Sequence, residues 1–586
     1  MCRIAGIYDP SSQQLEDDIV IMRDAMKRGG PDDAGIYINQ GLALGHRRLS
    51  IIDLSQKGHQ PMIDNNLILC YNGEIYNYQI IKSELKELGH EFHTLTDSEV
   101  ILKSFKEWGF ACFERFNGMF ALAIYDKEKH EITLARDHAG IKPLYYNWNE
   151  GKLYFSSEIR ALNTLNIFNE NPDWKIYFLA FGHLPEPITT LKEIAPLEKG
   201  TFLTINLQTG KTQKVKFSNF KFTSEIKSVN EAKILIRKTL IDAVERHLIS
   251  DATIGLFLSG GIDSSLLTIL SEPILKDKLR TLSIVFKEDK FSEKKFQDII
   301  IGKTGTKHQT FLVSHEDFIE SLPDVMEAMD QPTIDGINTY FISKYAKKAG
   351  LTAVLSGLGA DELFGGYNSF ANANRANFAK NIPDIFLNLF QKMPKDKFKK
   401  VAYLRFKNLT GEYLFNRGIL GTNEISYLLG EKESKIIHLL KLIHTSEDGQ
   451  SLNGFNKASH LEQHYYMQNQ LLKDSDCMGM WHAVEVRVPF LDKELIKLAY
   501  RISPEVKFCQ KQKKFLLINS FINELPREIW DRPKQGFAFP FSEWLGDMPV
   551  RGKAAIHAKE QFQKGRYTWG RYWSILLMGE WTKKSN

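Results

Sequence analysis

What this chain lacks narrows its class before any motif is read. Its 586 residues hold no apolar run long enough to span a bilayer, and the start lacks the basic-then-apolar layout of a signal peptide. These absences predict a cytoplasmic protein without a membrane partner. Cysteine is scarce: five residues, at 2, 70, 112, 477 and 509, odd in number and with no CxxC pair, which argues against a disulfide framework and a zinc site. Neither sign of charge dominates, and a net +5 over this length gives no reason to expect nucleic acid. His46, His59, His90 and His93 share no metal-ligand spacing and read as solvent-facing or capping residues.

What is present describes a soluble globular chain, 43% apolar and 25% charged, too long for one core and therefore expected to form two domains. The stretch from 254 to 270, IGLFLSGGIDSSLLTIL, organises the second of them. A short apolar run reads as a buried strand, Ser259-Gly260-Gly261 as a tight loop, and Asp263-Ser264-Ser265 as the opening of a helix. The glycines let backbone approach a ligand, and a helix start offers unpaired N–H groups to an anion. The loop has neither the GK[ST] of a Walker loop nor a GxGxxG, so it is a phosphate cradle of another kind, unless Asp263 or Ser264 is merely a helix cap.

A second chemistry opens the chain. Cys2 becomes the first residue if Met1 is trimmed, and its own α-amine, a group that ordinarily titrates at about 7.7–8.0, can then take the thiol proton. Four blocks follow between β-rich apolar runs: RGGPDDAG at 28–35, GHRRLSIIDLS at 45–55, YNGEIYN at 71–77 and TDSEVIL at 96–102. They suit a small zwitterion. Arg48 can clamp a carboxylate, and Glu74 and Asp97 can hold an ammonium. The Asn72 amide and the Gly73 N–H can face an oxygen that turns negative in a tetrahedral intermediate. By contrast, the continuous run 119–125 reads as a strand covered on both faces, and Cys70 and Cys112 as small core residues.

Cys2 with these blocks resembles the glutaminase domain of class II amidotransferases, N-terminal nucleophile hydrolases with a four-layer α/β/β/α sandwich. SGGIDSS resembles the pyrophosphate loop of ATP pyrophosphatases, and SGLGADE at 356–362, VPFLD at 488–492 and RPKQGFAFPFSEW at 532–544 are similar to blocks of the glutamine-hydrolysing asparagine synthetases. The resemblance covers nearly the whole chain in collinear order. It implies a glutaminase domain over 1–205 and a doubly wound parallel-sheet synthetase domain with added helices over 225–586. It implies ATP held by Ser259, Gly260, Gly261, Asp263 and Ser264, with Leu258, Ile284, Ser356 and Gly357 around the adenosine, Lys514 neutralising phosphate, and Mg2+ on Asp263 and Asp361.

The implied reaction is amidation of a carboxylate through an acyl-adenylate, with glutamine as nitrogen donor and aspartate as the leading acceptor. A carboxylate on a sugar or a surface-polymer precursor is the alternative. The contrasting class, a binding protein that kept the fold and lost a step, is disfavoured by the joint presence of Cys2, Arg48, Asn72, Asp97, Asp263 and Asp361. The oligomeric state stays open, with a homodimer as one candidate. Several positions depart from the family pattern. Arg3 stands where glycine is common and is expected to alter closure of the glutamine pocket or to lower the thiol pKa. Leu358 replaces an acidic residue, Asp335 an arginine and Ile518 the arginine of KxxLR, which bears on the acceptor. The stretch 370–460 is longer than the family pattern, and its lysine-rich run at 392–407 reads as a solvated helix face. Lys514 has a competing reading as one solvated lysine among Lys511 and Lys513.

Overall fold

The computed structural model describes residues 2–379, 387, 400–443, 449–508, 512–533 and 539–585. Met1, Cys509, Lys511 and residues 392–399 of the lysine-rich run lie outside the described residues.

Residues up to Lys216 build two six-stranded antiparallel sheets. The first has the order Ala195–Pro196, Tyr145–Asn149, Lys152–Ser156, Arg3–Tyr8, Leu42–Arg48, Asp33–Asn39. The second runs Thr212–Lys216, Thr201–Asn206, Glu131–Arg136, Gly118–Asp126, Leu67–Ile75, Met62–Asp64. Period-two alternation gives each sheet an inner apolar face, and Ile4, Leu44, Ile68, Leu134 and Phe155 meet between them as one fully buried cluster. Outer faces are covered by helices: Leu15–Asp24 lays Ile19 and Met22 on the first sheet, and Asp97–Trp108 lays Ile101 on the second. The result is the expected α/β/β/α sandwich. Gly118–Asp126 is buried along its whole length, as its unbroken apolar run implied. A hairpin turns at Thr209-Gly210 with Gly210 at φ +72°, and its second strand extends the sheet to Lys216, beyond residue 205.

One expectation for this half fails. His46 is neither solvated nor a cap. It sits inside the sandwich on strand Leu42–Arg48 with Nε2 3.1 Å from the Tyr71 carbonyl, and burial pushes its pKa down to about 3. The stretch after 163 contains helix Trp174–Phe181, buried everywhere except at Lys175 and packed into the core of the second half. A helix that is apolar all round carries no amphipathic period to detect.

The second half is built on a five-stranded, wholly parallel sheet in the order Lys307–Leu312, Arg280–Val285, Ile254–Phe257, Ala353–Leu355, Glu485–Arg487. Ile254–Phe257 comes first in the chain yet lies in the middle. The strands that follow it first are added on one side and the later ones on the other, so the topology reverses between Ile254–Phe257 and Ala353–Leu355. In such sheets a crevice opens beyond the carboxyl ends at the reversal point. The helix delivering the chain there, Val229–His247, starts where Ser228 Oγ accepts from the Glu231 N–H and buries Ile236, Leu240 and Val244 along one stripe. Among the described residues no helix is long and apolar enough to cross a membrane.

Candidate active site

The structure assembles the expected residues into two separate centres. In the first, the main-chain nitrogen of Cys2 donates to Asn72 Oδ1 at 3.3 Å. That bond turns Asn72 Nδ2 the other way, and among the described residues this buried donor has no protein partner. A fully buried amide left unpaired is costly unless something else is meant to accept from it. Gly73 is required by a close approach, since a Cβ there would lie 2.1 Å from the Met119 carbonyl oxygen. Arg48 is fastened from behind by the carbonyls of Ser55 at 2.6 Å and Asp53 at 2.5 Å, and Gly58 makes room for its guanidinium.

Burial raises the Cys2 thiol pKa, with Glu74 adding to the rise, while the chain's N-terminal charge, the Leu49 amide and Arg48 pull it back. Asp97 Oδ2 accepts from Tyr71 Oη at 2.8 Å and from the Ile75 N–H at 3.0 Å, yet burial still leaves it above the ordinary carboxylate range. Glu74 is likewise pushed well up by burial and by Glu485, against the attraction of Arg487 at 3.4 Å.

The second centre is a cavity of about 1340 Å3 at the reversal point of the parallel sheet. Nine of the ten expected nucleotide residues line it, and the tenth, Gly260, supports its wall: the Gly260 carbonyl accepts from Arg532, whose guanidinium also holds Glu293 at 2.7 Å and stacks 3.6 Å over Phe296. Neither Asp263 nor Ser264 caps the helix Ile262–Leu275; Gly261 occupies that position without a side chain. Ser264 instead closes the loop on itself, with Oγ 3.1 Å from the Ser259 N–H and 3.0 Å from Ser259 Oγ. Gly260, at φ +83°, supplies the left-handed residue the turn needs. Gly357 must be glycine for a second reason, since a Cβ would come within 2.7 Å of Asp263 Cβ where the two loops touch.

Lys514 is not a solvated lysine. It is buried, and its Nζ lies 2.5 Å from both Asp263 Oδ2 and Asp361 Oδ1, tying the loops together. The sequence spacing of 251 and 153 positions hides this convergence. The two carboxylates present hard oxygens at one place, a donor set that would suit Mg2+; among the described residues no group of three or more His, Cys, Asp or Glu forms a complete cage. Leu358 and Asp335 both line the cavity, whereas Ile518 is buried in helix Phe515–Ser520 and cannot reach it. Glu362 was not anticipated. Beside Asp361, it shares one hydrogen bond with Tyr367 Oη at 2.7 Å, and burial followed by the Asp361 charge raises it to about 7.

Arg3 belongs to neither centre. Successive residues of a strand point to opposite faces, so it turns away from the thiol. It is fully buried against the second half, with Nε 2.5 Å from Glu158 and Nη1 2.8 Å from Asp476 on helix Leu472–Trp481, where Lys142 also binds at 2.7 Å. Burial alone would raise Asp476, and the two cations outweigh it and hold it below its ordinary value. The expectation that Arg3 closes the first pocket or tunes the thiol is therefore corrected: it is a bridge between the halves.

An α/β/β/α sandwich with Cys2 against Asn72, joined to a parallel sheet with a glycine-rich loop at its reversal point, defines a two-centre amidotransferase. Comparison with known proteins agrees. The family described as asparagine synthase matches residues 235–567, and the glutamine amidotransferase domain family matches residues 1–218. Asparagine synthetase (glutamine-hydrolyzing) 1 of Bacillus subtilis strain 168 is 32% identical, over 93% of this chain and 88% of its own length. Asparagine synthetase 3 of the same organism is 28% identical over 95% and 91%, and asparagine synthetase B of Escherichia coli K12 is 27% identical over 92% and 82%. The chain belongs to the glutamine-hydrolysing asparagine synthetase family.

Two outcomes follow from this geometry. Arg3→Ala removes one partner from a buried ion network, and because Lys142 and Arg160 still serve Asp476 and Glu158 the loss falls at the low end of such deletions, about 3 kcal/mol. It should lower the thermal midpoint while the pH profile of Cys2 alkylation stays as in the unaltered chain; a displaced profile would return Arg3 to the thiol. For Glu362, the folded pKa lies above the unfolded one, so its contribution is complete below about pH 4.5 and is lost as pH rises through about 7. Glu362→Gln, which mimics the protonated form, should melt higher than the unaltered chain at pH 8, with the gap closing by pH 5.

Proposed function

We propose that the protein makes asparagine from aspartate, using glutamine as nitrogen donor and ATP as activator, with a glutaminase unit over 1–205 and a synthetase unit over 225–586. The observation that carries the first half is the unpaired Nδ2 of Asn72 beside Cys2. With Met1 removed, the Cys2 α-amine takes the thiol proton and the sulfur attacks the glutamine amide carbon. Asn72 Nδ2 and the Gly73 N–H then donate to the oxygen that becomes negative, a contact made only in the transition state and so one that accelerates the step. Arg48 faces the substrate carboxylate, and Glu74 and Asp97 its ammonium. Collapse of the intermediate expels ammonia and leaves a thioester that water cleaves to glutamate.

The second half is supported by the loop geometry around Asp263. The turn from Ser259 to Ser264 offers backbone N–H groups and a helix start to the ATP phosphates, while Leu258, Ile284, Ser356 and Gly357 line the region for the nucleoside. Mg2+, when bound on Asp263 and Asp361, neutralises phosphate charge. Lys514, already poised between these carboxylates, meets the departing pyrophosphate. The aspartate carboxylate attacks the α-phosphorus to give the acyl-adenylate, and ammonia from the first centre displaces AMP. Housing both centres in one chain keeps ammonia unprotonated and concentrated, since free ammonia in water at pH 7 is mostly ammonium.

Replacing Cys2 by Ala should lower glutamine-dependent synthesis by about 10^3-fold or more and leave ammonia-dependent synthesis in place; Asp263→Ala should do the reverse, stopping pyrophosphate release while glutamate still forms. If either change silences both reactions in a folded protein, the two-centre reading fails. Leu358 and Asp335 in the cavity wall make acceptor choice a separate question. Pyrophosphate release measured across a panel of carboxylic acids should be fastest with aspartate, and a faster sugar acid would replace it as acceptor.

A further inference from the structure

A third region is built unlike either centre. A cavity of about 310 Å3, within the size range of small-molecule sites, lies where the segment leaving the second antiparallel sheet meets helix Glu462–Leu471. It is lined by Lys199, Lys216 and Lys221 and by His138, His460 and His464, and no Asp or Glu stands among the described lining residues. Of the nearby carboxylates, Glu186 is engaged by Arg136 at 3.0 Å and Gln468 at 2.6 Å, while Glu198 pairs with Lys214 at 3.3 Å and with Lys216 of the lining at 3.4 Å. Lys199 has no ion pair among the described residues, and burial pushes its ammonium down to about 8. Burial holds His138, His460 and His464 below the ordinary imidazole range, so the positive charge of the hollow rests on its lysines, and a buried ammonium such as that of Lys199, with no carboxylate against it, is costly unless an anion joins it.

Two further observations point to a ligand. Among the described residues, Ser218 and His460, both more than nine-tenths buried in the lining, keep Oγ and Nε2 without a protein partner. The helix that forms one wall, Glu462–Leu471, has π-helical winding, a rare form that recurs at functional sites. Its residues are divided between two hollows: Gln463, His464 and Met467 line the basic cavity, and Tyr466 and Leu471 line the nucleotide cavity.

We propose that this basic cavity binds a small phosphate-bearing anion, separate from the nucleotide in the reversal-point crevice, and that its occupant changes nucleotide affinity through helix Glu462–Leu471. Lys199, with Lys216 and Lys221 at the mouth, supplies the attraction, and the shared helix supplies a physical path by which one site biases the other. Binding itself is independent of the reaction assigned above.

Calorimetric titration of the full chain with inorganic phosphate, and in a second arm with a sugar monophosphate, tests the site. The double change Lys199→Met and Lys216→Met should weaken binding by about tenfold or more, whereas Lys514→Met, in the nucleotide cavity, should not. His464→Gln serves as a second variant, and a thermal midpoint for each confirms folding. No heat with either anion, or loss of binding only in Lys514→Met, overturns the proposal. In ammonia-supported synthesis the tighter of the two anions should shift the KM for ATP in the unaltered chain and not in the lysine double variant; an equal shift in both would remove the coupling and assign the effect to competition in the nucleotide cavity.

Discussion

The buried charge network along the seam of the two halves is the constraint on which the rest depends. Arg3 and Lys142 from the sandwich meet on Asp476 of the second half, and Glu74 from the sandwich meets Arg487, itself 2.5 Å from Glu485 on the edge strand of the parallel sheet. Charges so deep are tolerated only when paired and correctly placed, since desolvation otherwise exceeds their attraction. They therefore hold orientation more strictly than apolar contacts would. Asn117 extends the same seam by donating to Asp492 at 3.0 Å, an acceptor shared with Arg246.

This arrangement sets the two centres against each other without merging them. Cys2 and Arg3 are neighbours at the start of one strand, so a single alternation of side-chain direction puts the thiol on one face and the tether on the other. The tether ends on helix Leu472–Trp481, whose Asp474 and Ser475 line the nucleotide cavity. The proposed transfer of ammonia needs such fixed geometry, because a reactive base that must cross between centres is useful only if they keep their separation and exclude water. The basic cavity touches the same framework from another side through helix Glu462–Leu471.

The chemistry-bearing loops were legible because they are local. A glycine-rich turn between an apolar strand and a helix, or Asn-Gly after a β run, carries its meaning in consecutive residues. The burial of His46 and of helix Trp174–Phe181 was not, since neither has a periodic or compositional signature that separates packing from exposure. Arg3 shows the limit well: its chain neighbour suggested the thiol, while its real partners lie 155 and 473 positions away.

The order of amino acids alone determined the two-part α/β class, the pairing of Cys2 with Asn72 as candidates for one centre, and the tight glycine loop between strand and helix, because short-range stereochemistry and side-chain type suffice for each. Only the tertiary structure decided that Lys514 joins Asp263 to Asp361, that Glu362 is buried beside them, that Arg3 spans the seam, and that lysines and histidines from distant segments enclose a second cavity. Those outcomes rest on which surfaces are desolvated together, a property of packing between remote segments that no local pattern encodes.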